Sequence, residues 1–401
     1  MNNFFYEFKK NFFNPAIIFI IIIFLFLNAL MCQTIIERQT IEYTKEFVDA
    51  HKKIYQNVSG KISKENIDFV ISEKNRLNSI ILSGEYDTNF DLSNTYTGYI
   101  FSDNNLINTL YDDIYYSYNY SNYSNQIKEA AQINSDKYLK KDNVILSKEY
   151  KFMATCFDNR NISSFYTTKG WDKYLSYSFS NLLVVLIIIV GCAPIFSKEK
   201  ECGMSILLKT TICGKKKITF YKIMVVVLFS FLITIIFSTQ DFIIFKYNYS
   251  LTGFLNPIYS ISEFKNTGLN ITIVEYLILN FFAKWLGILN ISILVIIISS
   301  FNKSDTISLL CNLFVFFIHI LIYLNFNSYS FLSLMNIYTF TNSFNVLNIA
   351  GIITHTIYWL ILLNFFVLEF LAAFCFWINL KPKKHNLKDD IYETSHKMGT
   401  I

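Results

Sequence analysis

The sequence predicts an all-α integral membrane protein with six transmembrane helices and a mostly helical extracytoplasmic domain between helices one and two. Three observations predict it. Long apolar runs alternate with short polar segments, one long segment has ordinary polar composition, and lysines crowd the short segments on one side. The chain has 401 residues, 53% of them hydrophobic, with 40 Phe and 27 Tyr. A bilayer core demands about 20 apolar residues of a spanning helix, and such runs account for this surplus.

The runs fall at 16–33, 174–196, 219–245, 276–299, 306–325 and 352–380. Six spans put both termini on one side. With that side cytoplasmic, the inner segments hold 14 Lys: Lys9, Lys10, Lys198, Lys200, Lys209, Lys215, Lys216, Lys217, Lys303, Lys381, Lys383, Lys384, Lys388 and Lys397. The short outer loops 246–275 and 326–351 hold only Lys246 and Lys265. Positive residues stay inside, so the bias sets the orientation and leaves 381–401 as a cytoplasmic tail. The long segment 34–173 is exempt from that rule. Its 17 Lys/Arg stand against 19 Asp/Glu, a balance that excludes a nucleic-acid surface.

Residues 1–15 place Phe4, Phe5, Phe8 and Phe12 at helical spacing among Glu7, Lys9, Lys10 and Asn11. This predicts a short amphipathic helix at the cytoplasmic interface, ended by Pro15. No small residues precede a cleavage site after the first run, and Leu30-Met31-Cys32 is a poor lipobox. An uncleaved helix is expected.

In 34–173, Ser63 reads as an N-cap and Gly84 as a C-cap around Ile67, Val70, Ile71, Leu77, Ile80 and Ile81. A second helix is predicted from Asp103 through Tyr118, and a third around Ile127, Ala130 and Ala131. Tyr111, Tyr115, Tyr116, Tyr118, Tyr120 and Tyr123 cluster tightly, either as a ligand surface or as a packed helix face. Of seven cysteines only Cys156 lies well inside this domain, so no disulfide is expected; Cys202 and Cys213 read as plain thiols. The Asn-x-Ser/Thr triplets carry no glycosylation reading in so Asn-rich a chain.

There is no GxxxxGK[ST], HExxH or GxSxG, so no catalytic, metal or cofactor site is expected, and ATP chemistry would need a separate subunit. The informative stretch is the segment 197–218 between spans two and three. It carries acids first (Glu199, Glu201), then Gly203, then the apolar Met204, Leu207 and Leu208, Thr210, and lysines last. That order suits a helix dipole, and the apolar residues suit a partner's groove.

Phe196, Glu199, Glu201, Gly203, Leu207-Leu208, Thr210, Gly214-Lys215 and Lys222 resemble the loop after helix two of the bacterial ABC-2 type transporter permease family. The family's Pro before its Gly-Arg pair is absent here, and Lys215 replaces the Arg. Asn159-Arg160-Asn161-Ile162, Gly253-Phe254-Leu255-Asn256-Pro257 and Ile271-Thr272-Ile273-Val274-Glu275 also look like the family. The resemblance implies a permease subunit, in the export direction, that pairs with a second permease half and with a cytosolic ATP-binding cassette ATPase. It implies a coupling helix over 198–212, with Gly203 allowing close backbone approach.

Asp241, Lys284, His319 and Glu369 fall in or near the spans, where ionisable groups are costly and mark function or interhelical pairing. Asp241 and Lys284 are placed to pair, and Glu369 is expected to face the bundle or a cavity. A membrane sensor or a mechanotransmission subunit whose outer domain binds a ligand or partner is the alternative. No signalling domain follows the spans, and no acidic or His motif supports a membrane-bound transferase.

Overall fold

The computed structural model describes residues 2–40, 45–84, 96–204, 214–249, 251–326 and 331–380. Leu207, Leu208, Thr210, Cys213 and the segment 381–401 lie outside the described residues. The chain folds as a helical bundle with an inserted helical domain. Among the described residues, five helices are long and apolar enough to cross a membrane, namely Pro15–Ile36, Lys169–Glu201, Lys216–Tyr249, Ile273–Phe301 and Thr356–Leu380; Asp305–Leu321 is a shorter apolar one.

Helix α1 (Asn2–Phe12) precedes α2 (Pro15–Thr40). Pro15 takes the first helical position, where its missing N–H costs nothing, and Asn14 Oδ1 accepts from the Ala16 amide at 3.1 Å. Phe12 stacks on Phe229 at 3.8 Å, which pins α1 to the bundle.

The inserted domain comprises α3 (Lys45–Val58), α4 (Lys64–Ser83), α5 (Ile100–Leu139) and α6 (Val144–Cys156). Ser63 caps α4 by accepting from the Asn66 amide, and Gly84 closes it with φ +73°, as its sequence predicts. The two helices expected over 103–131 are one helix of 40 residues. The polar stretch around Asn122–Asn125 contains no Gly or Pro to break it. A core of Ile54, Val70, Leu77, Leu106, Ile107 and Leu110 binds α3, α4 and α5. A two-residue antiparallel pair, β1 (Gly60–Lys61) with β2 (Ser164–Phe165), ties the entry of the domain to its exit.

The second span is built from α7 (Lys169–Ser176), α8 (Phe179–Cys192) and α9 (Pro194–Glu201). Pro194 cannot donate to a helix carbonyl behind it, so the chain restarts there as α9. The remaining bundle helices are α10 (Gly214–Tyr249), α11 (Ile273–Phe301) and α12 (Asp305–Phe326). Thr272 and Glu275 form a reciprocal capping box at the start of α11. Two short helices, α13 (Phe331–Met335) and α14 (Tyr338–Thr341), lead to a hairpin of β3 (Val346–Ile349) and β4 (Ile352–His355), then α15 (Thr356–Leu380). The hairpin is missing from the sequence reading, and it moves the start of the last apolar helix from 352 to Thr356. Its two-residue turn holds Ala350 at φ +52° and Gly351 at φ +85°, which matches the twist of paired strands.

Val184, Val185, Ile188, Phe237, Ile288 and Ile296 are all fully buried in the bundle core. A second core, around Trp171, Phe245, Phe264 and Tyr276, packs α7, α10, α11 and the 251–272 segment together, and a small cluster of Tyr120, Ile162 and Tyr259 joins that segment to α5. The two ends of the bundle therefore differ. One carries the domain; the other carries α1, α9, the end of α11 and the start of α12.

Candidate functional site

At the α9 end, buried charges meet. Glu199 extends from α9 and accepts from Lys10 of α1 through Oε1 at 2.8 Å; its Oε2 lies 2.5 Å from Lys222 Nζ of α10. Lys222 is 1% exposed and also donates to the Ile195 carbonyl at 2.7 Å. Its ammonium lies 4.5 Å from the centre of the Phe196 ring. Glu7, also buried, adds a second carboxylate 3.7 Å from Lys10. Burial works to lower the Lys10 pKa, but the hydrogen bond and charge of Glu199, aided by Glu7, raise it above the ordinary lysine value.

The same short helix is held from its other side. Ser299 Oγ of α11 accepts from the Phe196 and Ser197 amides, each at 3.1 Å. Ser197 Oγ donates to Asp305 at 2.6 Å, Glu201 accepts from the Asp305 amide at 3.0 Å, and Lys200 donates to the Ser300 carbonyl. Helix α9 thus touches α1, α10, α11 and α12 through specific polar bonds. Breaking any of the buried bonds would leave a charge or donor unsatisfied, so α9 is fastened to all four.

Two expectations change here. Glu199 is buried in the bundle rather than offered to a partner, while Glu201 and Met204 are exposed. The expected helix over 198–212 is interrupted, because α9 ends at Glu201 and Gly203 takes φ +71°. Among the described residues no atom lies within 4 Å of a Cβ placed on Gly203, and its φ of +71° suits a left-handed stop after α9. Lys10, Ser299 and Asp305 were missed as site residues. Only the Glu7–Lys10 spacing of one helical turn pointed toward a charged contact on α1.

A second polar group lies inside the bundle. Asn28 of α2, fully buried, donates to Asp241 at 2.7 Å and accepts from the Tyr177 hydroxyl at 2.8 Å. Lys284 donates to Ser180 at 3.4 Å. Asp241 and Lys284 are both buried and form no direct salt bridge with each other. His319 lines a small apolar cavity with Asn312, Phe316, Ile189 and Val295. Glu369 departs from expectation, since it is exposed on the outer face of α15.

At the domain end, Arg160 is 3% exposed and makes four bonds: to Asn270 Oδ1 at 2.7 Å, the Thr267 and Leu269 carbonyls at 2.7 and 3.2 Å, and the Tyr120 hydroxyl at 3.3 Å. Its guanidinium lies between the rings of Phe157 and Tyr259. Tyr116 and Tyr120 donate to the Tyr259 and Lys265 carbonyls, and Asn256 donates to the Ser164 carbonyl. Segments 160–164 and 256–270, far apart in sequence, are thus joined. The tyrosine cluster divides. Tyr116, Tyr120 and Tyr123 pack on the 259–267 segment, whereas Tyr115 and Tyr118 remain exposed. Among the described residues no group of three or more His, Cys, Asp or Glu could hold a metal ion.

Comparison of the chain with protein-family models, with curated proteins and with solved structures gave no match in any of the three.

Proposed function

We propose that this chain is the membrane-spanning permease subunit of an ABC transporter of the ABC-2 type, an exporter driven by a separate cytosolic ATPase. In this reading it spans the membrane six times, with Asp305–Phe326 as the fifth span. Residues 34–173 lie outside, and both termini lie in the cytoplasm of a cell-membrane protein. The observation that carries the reading is the grip on α9. The segment that resembles a coupling loop leaves the bundle through a short helix bonded to α1, α10, α11 and α12. An ATPase that pushed on 202–213 would move α9, and buried Glu199 would pass that motion to α1 and α10. Nucleotide state would then bias the membrane equilibrium, as coupling between two bodies requires.

A mechanotransmission role is the second reading, and the Arg160 lock favours it. A domain bolted to the 251–272 segment is suited to relaying force across the membrane as well as to shaping an export path.

The test is co-purification of the ATPase with the chain, together with its coupled hydrolysis. Gly203→Trp forces a large side chain onto a left-handed backbone, and Leu207→Asp puts a charge at an apolar position of the loop. Both are expected to release or uncouple the ATPase while leaving membrane insertion intact. Lys216 is exposed, and its substitution is expected to have little effect. Wild-type association and coupling in both variants would sink the reading.

A further inference from the structure

Cys156 ends α6 and His355 ends β4, and the two side chains meet where the inserted domain adjoins the start of α15. Sγ and Nε2 stand 3.9 Å apart. The imidazole is held for that meeting. A Cβ added to Gly268 would collide with His355 Cε1 and come within 2.9 Å of Nδ1, so backbone lies against that edge of the ring and Nε2 is left to the thiol. The rings of Phe152, Phe344 and Tyr358 surround the imidazole, with centroids 5.4, 6.1 and 6.1 Å from its own. Cys156 is buried, and its carbonyl accepts from Asn270 Nδ2 at 3.1 Å, the same Asn270 that accepts from Arg160.

A separation of 3.9 Å is too long for a strong hydrogen bond. It is close to the span of a linear metal site. A metal–thiolate bond of about 2.3 Å and a metal–imidazole bond of about 2.0 Å put the two donor atoms about 4.3 Å apart with the ion between them. We propose that Cys156 and His355 form a two-coordinate site for a soft monovalent cation of the Cu(I) or Ag(I) class. Thiolate and imidazole are the donors that such ions favour. Among the described residues no third His, Cys, Asp or Glu joins the pair, so the set that a zinc site requires is not present. Charge selects in the same direction. A monovalent ion on one thiolate and one neutral imidazole is neutral overall, as an apolar setting demands, whereas a divalent ion would leave a net positive charge near the Arg160 guanidinium. Binding forms one metal–sulfur and one metal–nitrogen bond and releases the thiol proton to water; no electron moves. The bound ion would tie α6 to the junction of β4 and α15, a second fastening beside Arg160. The site needs no ATPase and no particular orientation in the membrane.

The test titrates the purified full-length chain in detergent with Cu(I), kept reduced by ascorbate in the absence of oxygen, against bicinchoninate as a coloured competitor. The tightest equivalent bound by the wild type is expected to be lost in Cys156→Ser. In His355→Phe, whose ring fills the same space, it is expected to bind more weakly by about tenfold or more. Zn(II) at the same concentration is expected not to displace it. A second measurement needs no variant. In the wild type, less than one equivalent of Cu(I) is expected to slow alkylation of Cys156, relative to its metal-free rate, more than that of the exposed Cys202, as read by peptide mass mapping. Retention of the tightest equivalent in Cys156→Ser, unchanged affinity in His355→Phe, displacement by Zn(II), or stronger shielding of Cys202 than of Cys156 would each overturn the site.

Discussion

Glu199 and Lys222 stand 2.5 Å apart, both buried, although 23 positions separate them in the chain. Neither charge has water to turn to, so each depends on the other. Truncating one partner of a buried pair typically costs about 3–5 kcal/mol, because the survivor is left uncompensated. Glu199→Ala is expected to lower the thermal stability of the purified protein markedly. The double variant Glu199→Gln/Lys222→Met is expected to recover a large part of the loss. If Glu199→Ala melts like wild type, the pair does not hold α9.

Arg160 allows a separate prediction at the opposite end. Its planar fork reaches Asn270, Thr267, Leu269 and Tyr120 at once, which a lysine cannot imitate. Hydrogen bonds to a charged group contribute about 1.5–3 kcal/mol each, and their loss is only partly additive. Arg160→Lys is expected to expose the 251–272 segment to proteolysis while leaving the α9 end intact. Unchanged cleavage there would show that the domain is fastened by other contacts.

The apolar runs made the helices legible, because a bilayer imposes one length and one composition on a spanning segment. Ser63 and Gly84 were legible for a local reason, since caps are written within one turn of the helix they close. The Glu199–Lys222 pair and the Arg160 clasp were not legible as contacts. Each joins positions whose meeting depends on how helices pack, and no local pattern records that. The hairpin at 346–355 was hidden by apolar residues that read equally well as the start of a span. Glu369 shows the reverse failure. Its cost in a membrane was legible, but the side of α15 it occupies is set by packing on α11.

His355 gives a pH prediction. It ends β4 just before α15, with its Nε2 3.9 Å from Cys156 Sγ and its ring among Phe152, Phe344 and Tyr358. Burial, and then the nearby Arg160 charge, lower its pKa below the ordinary 6.5. A lowered folded-state pKa means that the unfolded chain takes up the proton first. The contact's stability is thus intact above pH 6.5 and is lost as pH falls through the folded-state value. Labelling of Cys156 by a thiol reagent, taken relative to a small free thiol at the same pH because only the thiolate reacts, is expected to rise on acidification, and His355→Phe to remove that dependence. A flat labelling profile in the wild type would refute it.

The final prediction concerns Asp241 and Lys284, which are both buried in the bundle without a direct salt bridge between them. If the two only compensate each other, removing one is worse than removing both. Asp241→Asn leaves Lys284 as a buried cation without its balancing charge, and Lys284→Met leaves Asp241 with the Asn28 amide and no cation. Either single change is expected to reduce the yield of folded protein, and Asp241→Asn/Lys284→Met to restore most of it. Under the permease reading proposed above, transport tells the two roles apart. A structural pair regains transport in the double variant along with stability, because the packing is rebuilt. A pair that carries a proton or a cation regains stability and stays inactive, since no ionisable group is left to do the work. Folding yield and transport, measured on the same three variants, therefore assign the pair, and single variants as stable and active as wild type would show that its charges matter to neither.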